Sequence, residues 1–213
     1  MAELILCKLC GQRRAKRACP AVQGNICSIC CGTEREVSLA CPLDCEYLRE
    51  AHRREKPLPV EPKDVFDRDI EVSETFVRSH EELLLFCVYS LVQAALRTPG
   101  AVDTDVIAAL QALVKTHRTT ETGLFYETRP ENSLAAGVQR AFSDSLADYQ
   151  KIKVEQENET PVRNTELLTM LVFLGRIGQQ NTNGRPRGRM FVDMLSQMTP
   201  STGVEERAPS IIL

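Results

Sequence analysis

The chain has 213 residues, with 26 Lys and Arg against 29 Asp and Glu, a net charge of −3. Apolar residues make up 43% and charged residues 26%, ordinary shares for a globular protein, which excludes a disordered chain, a collagen-like repeat or a polycation that grips nucleic acid by bulk charge. The unusual number is nine cysteines, eight of them between Cys7 and Cys45.

Leu4-x-x-Cys7 has the spacing of a lipoprotein cleavage site. However, only six residues precede Cys7, Glu3 among them, too few for the basic and apolar segments of an export signal. The reading is a cytoplasmic protein, in whose reducing surroundings clustered cysteines serve as metal thiolates and not disulfides. Their order is Cys7-x2-Cys10, Cys19, Cys27-x2-Cys30, Cys31 and Cys41-x3-Cys45. Zinc takes four ligands in a tetrahedron, and a C-x2-C turn followed by a small residue supplies two of them. Gly11 follows Cys10 and Gly32 follows the Cys30-Cys31 pair, so both turns read as knuckles. Adjacent residues of an extended chain point opposite ways, which assigns Cys30 and Cys31 to different metals. The expected sets are Cys7, Cys10, Cys27 and Cys30 around one Zn²⁺, and Cys19, Cys31, Cys41 and Cys45 around a second. Cys41 and Cys45 are expected one turn apart at a helix start, with Pro42 at its first position. Closed four-thiolate shells leave no open coordination position, so both zincs are expected to be structural. Each contributes on the order of 10 kcal/mol to a module too small for a large core. His52, with eight cysteines at hand, is not needed as a ligand and reads as a solvated helix residue.

Through residue 57 the chain carries ten Lys and Arg against seven Asp and Glu. Two zinc–tetrathiolate sites of charge −2 each bring that excess to about −1, so the field of the module is not cationic. Arg13, Arg14, Lys16 and Arg17 form a compact basic run. They either hydrogen-bond the thiolate shells, the favoured reading, or meet phosphates as a nucleic-acid-binding loop.

Three prolines among residues 57–62 mark a semi-rigid linker. Beyond it apolar residues recur at helical spacing. Ser79-x-x-Glu82 reads as a capping box before an apolar helix that ends at Thr98-Pro99-Gly100, with a start already near Asp69 as the alternative. Its 14-residue run from Leu83 to Leu96 falls short of the roughly 20 residues that cross a membrane. Asp103 caps a helix through about Thr116, a third helix runs from about Ser133 to Gln156, and Thr160-Pro161 opens a fourth through Ile177. A short fifth helix carries Met190, Phe191, Met194, Leu195 and Met198 on one face. The expected organisation is a zinc-binding module over 1–56, a linker over 57–65, an all-α helical domain over 66–200 and a disordered tail over 201–213. The fold class is a small zinc-stabilised module, cross-braced or treble-clef-like with two four-cysteine sites, followed by an all-α helical bundle.

The stretch from Cys19-Pro-Ala-Val-Gln-Gly-Asn-Ile-Cys27 through Cys30-Cys31-Gly32 to Cys41-Pro-Leu-Asp-Cys45, together with Asn183-Gly-Arg-Pro-Arg-Gly-Arg189, resembles a group of uncharacterised bacterial proteins. These carry a similar N-terminal cysteine module and a helical region. The resemblance implies architecture and a bacterial origin, and no activity. The ligand layout is distantly similar to MYND and other treble-clef fingers, which mostly bind peptides.

The chain has no Gly-x-Ser-x-Gly, phosphate loop, dinucleotide fingerprint or His-Glu-x-x-His, and His52, His80 and His117 lie far apart, so no enzyme is expected. Cys87 lies in an apolar helix and reads as a small buried hydrophobe. Arg187-Gly188-Arg189 resembles part of an AT-hook but is followed by Met190 where the hook has proline. It reads as an interhelical turn whose arginines pair an acidic bundle. The remaining class is a non-enzymatic zinc-binding adaptor or scaffold acting on another protein, with no membrane or small-molecule partner. It would present Phe125-Tyr126 or the methionine face, although that face is expected to pack on the bundle. The end, Ser210-Ile-Ile-Leu213, reads as frayed. The alternative is a nucleic-acid-binding finger using the basic run at 13–17.

Overall fold

In a computed structural model the described residues are 5–123, 126–155 and 160–199. Residues 200–213 lie outside them, as does Phe125, and with them the expected tail. The cysteine module opens on a tight turn at Cys7–Cys10 and continues into a hairpin of β1 (Arg17–Cys19) and β2 (Gly24–Ile26). The two strands are antiparallel, with Arg17 opposite Ile26 and Cys19 opposite Gly24. Two short helices follow, α1 (Ser28–Glu34) and α2 (Glu46–His52). The module's core is made of its cysteines with Ile26, Leu39 and Leu48. So small an apolar set is what makes a metal the natural source of its stability.

The helical part comprises α3 (Glu74–Ser79), α4 (Glu81–Arg97), α5 (Asp103–Glu121), α6 (Ser133–Glu155), α7 (Asn164–Gln180) and α8 (Met190–Met198). Among the described residues both strands lie in the cysteine module. Helix α5 packs against α6 and α7, and α4 against α6 and α8. They enclose Leu91, Leu110, Leu113, Phe142, Leu167, Met170, Leu171, Leu174, Phe191 and Leu195. Met190 and Phe191 are buried and Met194 packs on the core, so the methionine face is consumed by the bundle, and Met198 alone of that set is exposed. Cys87 is fully buried, and burial pushes its thiol well above the usual range. No helix among the described residues is long and apolar enough to cross a membrane.

Several helix starts differ from the expected ones. Ser73 caps α3 by accepting from the Phe76 N–H at 3.1 Å. The Ser79 hydroxyl turns back to the Phe76 carbonyl at 3.0 Å, so the capping box at Ser79 does not form and the chain breaks at His80. Helix α7 starts three residues after Pro161, where the Glu166 carboxylate reaches back to the Arg163 N–H at 3.1 Å. Helix α5 is closed in the same way, Asp105 accepting from the Val102 N–H at 3.0 Å, and continues five residues beyond Thr116.

The proline-marked segment lies along the bundle. The Leu58 N–H donates to the Thr182 carbonyl at 3.0 Å, and Gln179 Nε2 donates to the Asp64 carbonyl at 3.0 Å. Phe66, four residues past the last of the three prolines, is buried in the bundle core. The two parts of the molecule therefore touch, and Leu43 packs against both cores.

Candidate metal centre and the adjoining clasp

Cys7, Cys10, Cys27 and Cys30 converge, their four sulfurs all within 4.8 Å of one another. A zinc tetrahedron with bonds of about 2.3 Å has edges of about 3.8 Å, so the quartet fits the ion. Gly11, at φ +61°, allows the turn after Cys10, and its N–H donates to the Cys7 carbonyl at 2.7 Å. Backbone donors then face the sulfurs. Burial would push the Cys7 thiol up, but the N–H groups of Cys10, Cys27 and Leu9 outweigh it and bring it down to about 6. The N–H groups of Gln12 and Arg13 likewise lower Cys10. Hydrogen bonding with Cys27, then burial, pushes Cys30 up to about 12. Four sulfurs this close cannot all ionise against one another without a cation among them, which a divalent metal would supply.

The second half of the site differs from the expected knuckle. Cys27 is the N-cap of α1, its sulfur accepting from the Cys30 N–H at 3.4 Å. Cys30, Cys31 and Gly32 are helical, and Gly32 is not needed for a turn. Cys30 and Cys31 still diverge, because neighbours on a helix are about 100° apart. Cys45 is the N-cap of α2, and Pro42 stands ahead of the helix in a turn closed by the Cys45 N–H on the Pro42 carbonyl at 3.1 Å. Cys19, Cys31, Cys41 and Cys45 share the module's core, and Cys41 feels the charges of Cys45 and Cys19. Among the described residues, however, the first quartet is the only group of three or more potential ligands gathered at metal-binding distance.

The basic run divides. The Arg13 guanidinium is held above its usual range by its hydrogen bond to Cys27 and the charges of Cys10 and Cys30. Arg17 Nη1 donates to Cys31 Sγ at 3.2 Å while its guanidinium lies 4.6 Å above the Tyr47 ring. Arg14 and Lys16 are exposed.

His52 is neither solvated nor a ligand. It is buried at 8% exposure between Asp193, 2.8 Å from Nδ1, and Glu36, 3.1 Å from Nε2. Both neighbours are carboxylates, so both ring nitrogens donate and the ring is the imidazolium. Burial alone would lower its pKa, but the bonds and charges of Asp193 and Glu36 raise it to about 9. Glu36, wholly buried and left-handed at φ +54°, is the hub. Its carboxylate also accepts from Asn183 Nδ2 at 2.8 Å and from the Arg189 N–H at 2.7 Å. Its carbonyl accepts from the Arg187 N–H at 2.8 Å. Arg185 reaches the Arg35 carbonyl at 2.7 Å and Glu55 at 3.0 Å. The loop between α7 and α8 is an interhelical turn as expected, but its arginine pairs the cysteine module and not the acidic bundle. Asp103 completes the junction by accepting from the N–H groups of Phe191 and Val192 at 3.0 and 3.1 Å. No signal in the sequence links these residues: His52 and Asp193 are 141 positions apart and Glu36 and Arg189 are 153 apart.

No protein-family model, curated protein sequence or solved structure matches the chain.

Proposed function

We propose that the chain is a non-enzymatic, zinc-binding adaptor that acts through contacts with another protein, and that its cysteine module is treble-clef-like. The observation that carries the adaptor reading is the exposure of Ile5, Leu6, Leu9 and Ile29, apolar side chains on the segments that bear the Cys7–Cys30 quartet. Large apolar side chains exposed on segments that a bound metal would brace are suited to contact with another protein. Tyr126, also exposed, is a second candidate contact. Cys19, Cys31, Cys41 and Cys45 are proposed to close around a second structural zinc, for a total of two per chain. The nucleic-acid reading is the weaker one, because Arg13 and Arg17 are engaged by cysteine sulfurs and two exposed cations, Arg14 and Lys16, remain for phosphates.

Affinity capture from a lysate of the source cells, with and without nuclease, compares the parent chain with a Leu9→Glu/Ile29→Glu variant. The expected outcome is a protein retained after nuclease and lost from the variant. Capture that disappears on nuclease treatment and on Arg14→Glu/Lys16→Glu substitution would establish the nucleic-acid reading instead.

A further inference from the structure

Where the cysteine module meets the bundle, a cleft of 590 Å³ opens between residues 40–42, the start of α5, the start of α6 and the loop ahead of α8. Its size falls in the range of small-molecule sites. Arg187 and Arg189 both line it. Arg187 is exposed, and its guanidinium has no partner among the described residues. Arg189 is more unusual. It is half-buried, its Nε is buried without a hydrogen-bond partner, and neither of its terminal nitrogens donates to a described residue. A guanidinium carries five donors, and leaving them unmade in a partly dehydrated place is costly.

The nearby carboxylates do not relieve it. Asp103, Glu36 and Asp193 are close enough for their charges to act on Arg189. Yet Asp103 spends both oxygens on the N–H groups of Phe191 and Val192. Glu36 and Asp193 face His52. Asp105, which also lines the cleft, accepts from the Val102 N–H and from Asn132 Nδ2. None of these carboxylates accepts from either guanidinium, so two arginines in one cleft keep their donors. Pro42, Ala101 and Leu134 add apolar surface to the lining.

We infer that this cleft binds a small organic phosphate, its phosphoryl oxygens held by Arg187 and Arg189 and its carbon skeleton lying on Pro42, Ala101 and Leu134. Paired guanidinium groups match tetrahedral oxyanions through several charge-assisted hydrogen bonds at once. That apolar surface distinguishes an organic phosphate from the free ion. The site requires nothing of the adaptor surface around Leu9 and Ile29, so either proposal can fail without the other.

The test is isothermal titration of the zinc-loaded full chain with phenyl phosphate and with inorganic phosphate, at fixed ionic strength and with chloride as control. Phenyl phosphate is expected to bind saturably and at least tenfold more tightly than inorganic phosphate. Arg187→Gln, an exposed change that leaves the fold intact, is expected to weaken it about tenfold or more, and Arg189→Lys to weaken it as well. No saturable binding of either probe, or an affinity unchanged by Arg187→Gln, would overturn the site. Equal affinity for the two probes would overturn the organic ligand and leave a simple anion site.

Discussion

His52 shows how one residue can hold two halves of a molecule together. A histidine seven residues after the last cysteine of the module has no local partner, and the sequence offers no reason to bury it. In the structure the ring sits between Glu36 from its own module and Asp193 of α8. Removing one member of a buried charge group leaves the others uncompensated. His52→Ala is therefore expected to cost about 3–5 kcal/mol in urea denaturation near pH 6, and a loss under about 1 kcal/mol would show that the clasp holds little. The pH dependence has a definite sign. The folded pKa of about 9 lies above the usual unfolded value near 6.5, so this stabilisation is complete below about pH 6.5. It declines as the pH rises and is lost through about 9. Glu36 and Asp193, held below the usual carboxylate range, act the other way and weaken the fold in acid. The stability difference between the parent chain and His52→Ala should thus shrink between pH 6.5 and 9. A difference constant across that interval would mean that the ring is neutral.

At the scale of elements, five of the six bundle helices among the described residues were legible as periodic apolar runs, because their cores face one way at 3.6-residue spacing; α3 falls within the alternative start near Asp69 but is a separate helix, broken from α4 at His80. Their ends were not. Pro161 is a plausible first helical residue in isolation, but Glu166 supplies the acceptor that fixes the start at Asn164. The three prolines were legible as a chain that cannot be helical, yet its attachment was not, since its partners lie more than 100 residues away. Phe66 is the anchor. Arg176 clamps the carbonyls of Phe66, Asp67 and Ile70 at 3.0, 2.8 and 2.6 Å, and the Phe66 N–H donates to Gln179 Oε1 at 2.8 Å. The ring then lies on Gly175, where an added Cβ would stand 2.6–2.7 Å from three of its carbons. With the backbone of Phe66 held on both sides, the ring cannot withdraw. Gly175→Ala should therefore destabilise the chain by about 1–3 kcal/mol in chemical denaturation, although alanine is the better helix former by about 1 kcal/mol. A stabilised variant would show that the anchored segment yields easily.

For the molecule as a whole, the metal centre was the most legible feature and the junction the least. Ligand spacing is a local property of the chain, so Cys7, Cys10, Cys27 and Cys30 could be grouped from their positions alone. The junction depends on pairs such as Glu36–Arg189 and Arg185–Glu55, which exist only after both parts have folded. That dependence links metal to bundle. The cysteine module has few apolar residues of its own, and a metal on Cys7, Cys10, Cys27 and Cys30 would brace α1, which leads to Glu36. A strong chelator is expected to unfold the module and, by withdrawing His52 from Asp193, to lower the melting temperature of the helical part without abolishing its helix content. Circular dichroism during chelation, paired with metal analysis, separates the steps. Two zincs per chain are expected for the parent, one for Cys10→Ser and one for Cys41→Ser. One zinc in both the parent chain and Cys41→Ser would remove the second site and leave Cys19, Cys31, Cys41 and Cys45 as core thiols. A bundle whose melting is unmoved by chelation would show that the junction, despite its buried charges, transmits no stability from one part to the other.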